Sequence, residues 1–307
     1  MNLKVYEEKR KTMMKHSVFF EFYKNAGFKV YASPNGEWCE LQPRMLISIP
    51  YHRLINPKRE ELDHLLKMSG AWGVRFPTDM DNYGFPSKLE ICDHTGYDLQ
   101  FLKHKIRNRV VKGQQHCEIR PVSIAELRTE GYKLNMLTLE RQNRNDPKAD
   151  PVYWQRICDG LEKSSGVNIL GAYFQDRLAA YVVILETPTM TEMIIQNSDT
   201  DALSYCPNNL LTYYVTWHYL TEQSNPVPVC YGLGSLEETP DLDKYKIGMG
   251  YTMRPIKQCL YFRKWLEFFL RPSLLYLGEL INKHIIKGRS YKLDKCCAML
   301  KRYLEQK

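Results

Sequence analysis

The chain has 307 residues, of which 44% are hydrophobic and 25% charged, an ordinary folded composition long enough for one large or two smaller domains. Its nine cysteines are scattered, with no Cys-x-x-Cys pair and no Cys/His ligand spacing, which excludes a disulfide scaffold and leaves no metal site to expect. No apolar run reaches the roughly 18 residues of a membrane span, and no apolar signal segment stands at the start, so a reduced, cytoplasmic protein is expected.

The net charge is +8, yet eleven Lys or Arg against four Asp or Glu fall between Arg263 and Lys307, so the last segment holds almost the whole excess. Such a tail faces an anionic membrane, nucleic acid or only water.

In chain order, Val18 to Phe22 begins a helix that stops near Gly27. Lys29 to Ala32 and Glu37 to Leu41 flank Ser33-Pro34-Asn35-Gly36, a hairpin signal. Met45 to Tyr51 is a further strand, and Asn56-Pro57 opens a helix with Leu62, Leu65 and Leu66 that Gly70 ends. Trp72 to Phe76 and Leu89 to Cys92 complete a small α/β half. Asp98 is positioned to cap the helix FLKHKIRNRVVKG, whose Lys103, Lys105, Arg107, Arg109 and Lys112 face no acid within it. Such a helix either grips phosphates or is a solvated face.

Cys117 to Val122 is a strand. Ser123 to Glu126 has capping-box spacing, and helices follow through Leu134 to Gln142 and from Asp150-Pro151. Three strands come next: Ile169 to Phe174, Leu178 to Leu185 and Glu192 to Asn197. Ser204 and Pro207 start a helix with Leu210, Tyr214 and Trp217 on one face. Val227, Val229 and Tyr231 alternate as a strand that Gly232 and Gly234 end. After a short helix to Tyr251, Pro255 divides two short strands, the second running Gln258 to Phe262. Three consecutive strands and a single strand after a helix predict a mixed rather than a fully parallel sheet. The tail interleaves Trp265, Phe268, Phe269 and Tyr276 with Arg263, Lys264, Arg271 and Lys283. That pattern suits a helix in an anionic interface or one packed across the domain.

GAYFQDRLAAYVVIL (Gly171 to Leu185), SYCPNNLLTYYVTW (Ser204 to Trp217), YGLGSL (Tyr231 to Leu236) and LDKYKIGMGY (Leu242 to Tyr251), in that order, resemble the GNAT superfamily of N-acyltransferases. Within it they are similar to the Fem-type, lipid II aminoacyltransferase-like branch, and so is the basic helix LKHKIRNRVVKG. The resemblance implies an α/β (α+β) fold with a GNAT-like mixed sheet flanked by helices at 97–262. A smaller GNAT-like half precedes it at 1–96, and a basic helical tail follows at 263–307.

The implied activity is transfer of an acyl or aminoacyl group to an amine of a sugar, peptide or lipid-linked cell-envelope precursor. The attack is direct and requires proton removal and oxyanion stabilisation. The donor would be acyl-CoA or aminoacyl-tRNA, held where Met193 to Asn197 and Val229 to Gly232 splay apart. The usual glycine-rich pyrophosphate loop is absent, its place taken by SDTDALSYCPNN. Asn208 and Asn209 are then the amides available to the donor, and Lys246 the charge available to a carboxylate or phosphate. Arg141 and Gln142 would line the acceptor side, and Arg107 and Arg109 would contact phosphates. Tyr231 and Ser235 could relay a proton, with Asp199 as a base and Glu237 or Glu238 behind it. Possible partners are tRNA and a membrane surface met through the tail. The contrasting expectation is a non-catalytic GNAT-fold protein that binds anionic lipid or RNA.

Overall fold

The computed structural model describes residues 16–144, 146–237, 240–281 and 291–307; Glu238 and Lys283 lie outside them. Helix α1 (Val18–Asn25) is capped by Ser17, whose Oγ accepts from the Phe20 N–H at 3.2 Å. The Ser33 to Gly36 turn closes through paired backbone bonds of 2.8 and 3.3 Å. Strands β1 (Val30–Ala32) and β2 (Glu37–Gln42) pair antiparallel across it. β3 (Met45–Ile49) adds to β2, and helix α2 (Arg59–Ser69) crosses over to β4 (Gly73–Thr78), parallel to β3. Leu62, Leu65 and Leu66 recur at helical spacing and bury against Trp38, Leu46, Val74 and Phe76, and Gly70 at φ 70° ends the helix.

β5 (Phe85–Cys92) leads to the basic helix α3 (His104–His116) and β6 (Glu118–Pro121). Ile124 to Arg141 is continuous helix through a π turn at Leu127–Gly131, its last part α4 (Tyr132–Arg141). Helix α5 (Pro151–Glu162) starts where Asp150 accepts from the Val152 N–H at 2.8 Å. The antiparallel strands β7 (Val167–Phe174), β8 (Arg177–Glu186) and β9 (Thr191–Ser198) follow, then α6 (Pro207–Trp217), β10 (Val229–Leu233), α7 (Pro240–Gly248) and β11 (Thr252–Phe262). The tail carries α8 (Lys264–Glu267), α9 (Pro272–Ile281) and α10 (Tyr291–Glu305).

Among the described residues, eleven strands form one mixed sheet in the order β1-β2-β3-β4-β11-β5-β10-β9-β8-β7-β6. The sheet is therefore continuous across both halves, because β11 enters between β4 and β5 and β10 pairs with β5. Helices α1 and α5 cover one face of β7 to β9, burying Trp154 and Tyr181, and α3 and α6 cover the other, burying Leu211 and Val215. Gly113 lets α3 and α6 touch: a Cβ there would lie 2.8 Å from the Leu210 Cβ and 3.1 Å from the Cys206 carbonyl oxygen.

Several local expectations are corrected. Asp98 accepts from the Phe101 N–H at 2.8 Å and so closes a turn ahead of α3, while Lys103 is the N-cap. Ser204 sits in a 3-10 turn, and Cys206, at φ 60°, is the residue before α6. The capping box forms by half: Ser123 Oγ accepts from the Glu126 N–H at 3.1 Å, but Glu126 accepts from the Tyr173 hydroxyl at 2.7 Å. Pro255 does not break β11. It pairs with Lys88 on one side, while β4 joins the other side only from Lys257, so no neighbour there needs the missing N–H.

Of the two expectations for the tail, packing across the domain is met by its last helix. α10 packs on the sheet, burying Leu300 and Tyr303 with Phe85, Leu260 and Phe262, and Gln306 exchanges two bonds with the Leu260 backbone at 3.0 and 2.6 Å. The α8 and α9 segment instead leaves Trp265, Phe268, Phe269, Leu274 and Tyr276 exposed. Among the described residues no helix is long and apolar enough to cross a membrane, and no group of His, Cys, Asp and Glu could hold a metal ion.

Candidate active site

The parallel strands β9 and β10 pair only at Val229 with Thr191 and Cys230 with Glu192. β9 continues to Ser198, but β10 bulges between Cys230 and Gly232 and follows β5 away. Gly232 takes φ 132°, a region closed to most side chains. A Cβ built there would meet no atom within 4 Å, so the backbone at this splay borders open space.

The two faces of the splay are built differently. Register places Gln196 opposite Val182, on the α6 side. The Tyr231 hydroxyl donates to Gln196 Oε1 across the gap. Gln196 Nε2 donates to the Asn208 carbonyl at 3.3 Å and to Thr212 Oγ1 at 3.2 Å. Tyr245 comes from α7, with its hydroxyl 2.9 Å from Thr212 Oγ1 and 3.0 Å from the Asn208 carbonyl oxygen. Burial pushes both phenols well up, so each stays protonated and acts as a donor. Lys246 lies 4.6 Å over the Tyr231 ring and forms a buried ion pair with Glu90 of β5. Glu90 stands opposite Gly232.

On the other face, Glu192 stands opposite Leu185, in the core under α1 and α5. Its carboxylate is 1% exposed and binds His52 twice, at ring Nδ1 and, over 3.1 Å, at the backbone N–H. His52 follows β3 in the chain, and its ring is 10% exposed. With Nδ1 bound to a carboxylate, the neutral form of the ring has its proton there and its lone pair on Nε2. A buried carboxylate that holds a histidine ring by Nδ1 is an arrangement that can serve as an oriented base.

The sequence-predicted residues scatter around this splay. Tyr231, Lys246 and Asn208 meet at it, and Asn208 Nδ2 donates to Ser198 Oγ at 2.9 Å. Arg141 joins from α4, donating to Ser198 Oγ at 3.2 Å and to Thr200 Oγ1 at 2.9 Å, while Gln142 is exposed and accepts from Arg144 at 3.3 Å. Asn209 is buried against Met249 Sδ at 3.4 Å. Asp199 accepts from the Asp201 N–H at 3.0 Å, capping the loop. Ser235 is exposed beyond β10, accepting from the Glu237 N–H at 3.3 Å. Arg107 donates to the Gln100 and Leu102 carbonyls at 3.0 and 3.1 Å, tying α3 to the turn before it. Arg109 is exposed on α3. The sequence reading missed His52, Glu192, Gln196, Tyr245 and Glu90. The available signal was a lone glutamate among apolar neighbours in Thr191-Glu192-Met193-Ile194-Ile195.

The first turn of α6 opens with Pro207, which has no N–H, and the residue before it makes no side-chain cap. The gap between α6 and α7 is bridged by Tyr245, and the splay behind it by Tyr231 and Gln196.

No family model matches the chain, and no curated protein sequence does. Solved structures are similar to it in fold. FemX superposes with a TM-score of 0.59 at 11% identity, over 84% of this chain and 94% of its own. The C-terminal domain of a protein described as a lysylphosphatidylglycerol synthetase from Agrobacterium fabrum gives 0.56 at 12% identity, over 86% and 93%. L-PGS from Bacillus licheniformis gives 0.51 at 12%, over 80% and 87%. With its mixed sheet, splayed central strands and flanking helices, the chain has a Fem-type GNAT-like fold.

Proposed function

We propose that this chain transfers an aminoacyl group from aminoacyl-tRNA to an amine, at the splay of β9 and β10. The observation that carries the reading is the open space beside Gly232, with Glu90, Lys246 and Tyr231 on one side and the Glu192–His52 pair on the other. The acyl carbonyl sits against the Gly232 backbone. The amine nitrogen bonds to the carbonyl carbon, the ester C–O bond to the ribose breaks, and the proton leaving nitrogen passes to His52 Nε2 and from there to the departing ribose oxygen. Glu192 stabilises the imidazolium that forms. The base is thus assigned to His52 rather than to Asp199.

The donor is favoured by what surrounds the site. The coenzyme path is bridged by side chains, whereas Lys103, Lys105, Arg109 and Lys112 of α3 are exposed and unpaired with any acid among the described residues. Point charges and guanidinium forks on one helix suit a phosphate backbone. The exposed aromatic residues of α8 and α9, beside Lys264 and Arg271, support contact with an anionic membrane, and hence a lipid-linked acceptor of the cell envelope.

Calorimetry and transfer assays with aminoacyl-tRNA beside acyl-CoA test the reading, using amines of sugar, peptide and lipid-linked type. Binding and transfer from the tRNA ester alone are expected, with affinity falling steeply as salt rises. Transfer from acyl-CoA would overturn the donor assignment. If neither donor binds while anionic vesicles or uncharged RNA do, the chain is a non-catalytic binding protein of this fold.

A further inference from the structure

Arg75 of β4 is a guanidinium facing inward without a carboxylate. Its Nε donates to Gln258 Oε1 at 2.5 Å and its Nη2 to the Gly234 carbonyl at 2.9 Å. Both acceptors are neutral, and no acid among the described residues comes within ion-pair distance of it. Burial holds the group down to about 10, so it still carries its charge at neutral pH. A half-buried charge balanced only by dipoles still carries a desolvation cost, and the fold keeps one here.

The guanidinium opens on a cavity of about 200 Å³ lined also by Gln42, Ser235, Lys295 and Met299, between β3, β4 and α10. Lys295 pairs with Glu237 at 3.0 Å. At Ser235 this cavity meets a second of about 390 Å³, which Lys88, Glu237, Asp243 and Arg302 line. Lys88 is paired with Asp243, and Arg302 with Glu305 at 2.8 Å. The smaller space is below the roughly 300 to 1,000 Å³ of a whole-ligand pocket. It has room for a single charged group, and the larger one has room for what that group is attached to.

We propose that Arg75, with Lys295 and the Ser235 hydroxyl, binds the phosphate group of a ligand whose remainder lies in the adjoining cavity under α10. Three guanidinium N–H groups remain beyond the two bonds made, and they can grip two oxygens of a tetrahedral anion side by side. A soluble phosphorylated compound and a phosphate-bearing lipid headgroup offer the same chemistry. The site is built from β4, the loop after β10 and α10, and its occupation does not depend on the reaction proposed for the splay.

The full chain is titrated calorimetrically with inorganic phosphate and pyrophosphate, and floated with vesicles of phosphatidylcholine containing phosphatidic acid. Saturable phosphate or pyrophosphate binding is expected, with a rise in melting temperature. Arg75→Met should weaken it by about tenfold or more, the loss expected for a charged hydrogen-bond donor. Ser235→Asp keeps the test valid if Arg75→Met does not fold. Ser235 is exposed, so the melting temperature without phosphate should stay unchanged while phosphate binding falls by a similar factor. Vesicle binding that pyrophosphate displaces assigns the site to a lipid headgroup; pyrophosphate binding that vesicles leave unaffected assigns it to a soluble ligand. Absence of phosphate binding, or equal binding by wild type and Ser235→Asp, overturns the proposal.

Discussion

The two faces of the β9–β10 splay are made of similar polar chemistry put to opposite use. On the α6 side, Tyr231, Gln196, Thr212, Tyr245 and the Asn208 carbonyl spend their hydrogen bonds on one another. On the α1 side, Glu192 spends its carboxylate on His52, and the imidazole keeps one nitrogen in reserve. A network with every member satisfied rigidifies, whereas a dyad with capacity left over can take a proton. On the proposed reading, this difference is why the base is assigned to the face with fewer polar groups.

The contrast breaks most sharply at His52. His52→Ala should lower the transfer rate by about 10²- to 10⁴-fold, the usual worth of general base catalysis, and Glu192→Gln should fall between it and wild type. Rates measured beside circular dichroism spectra check this; wild-type turnover by both variants would make the pair a structural tie. Next in size is Lys246→Met, which strands Glu90 as a buried unpaired charge and should cost about 3–5 kcal/mol in urea unfolding. The double variant with Glu90→Leu should recover most of that loss. If it does not, the pair contributes more than mutual neutralisation.

Gly232→Ala separates backbone from side-chain effects. Because the new methyl meets nothing, its cost is the strain of φ 132°, on the order of 1–3 kcal/mol. The transfer rate should fall by more than a melting-temperature loss of that size explains, since the methyl occupies the space assigned to the acyl group. Smallest is Tyr245→Phe, which removes a hydroxyl from a satisfied network and should cost about 0.5–1.5 kcal/mol. An unchanged denaturation midpoint would mean that the α6 face is less tightly knit than its bonds imply.

What the sequence made legible was local. Ser33 to Gly36, Asp150-Pro151 and Gly70 each contain the chemistry of their own turn or cap, and the period of Leu62, Leu65 and Leu66 names its buried face. The order of motifs around Tyr231 was enough to anticipate a mixed sheet and the parting of β9 from β10. His52 and Glu192 stand 140 positions apart, and neither neighbourhood carries a spacing that points to the other. A separation of 156 positions hid the partner of Lys246, which looked free for a substrate because Glu90 belongs to a strand read as part of a different half. Errors at Ser204 and Asp98 were of another kind, since each residue does bond or turn locally, but short of the helix it was assigned to.

The position of β11 between β4 and β5 has a consequence for how the molecule is made. As the chain leaves the ribosome, β4 and β5 must wait for some 160 further residues before the strand that joins them exists. Until then each has an unpaired edge, a ready template for wrong partners. Completion of the sheet is therefore a late, long-range event, which slows folding and makes the newborn N-terminal half a natural client for chaperones.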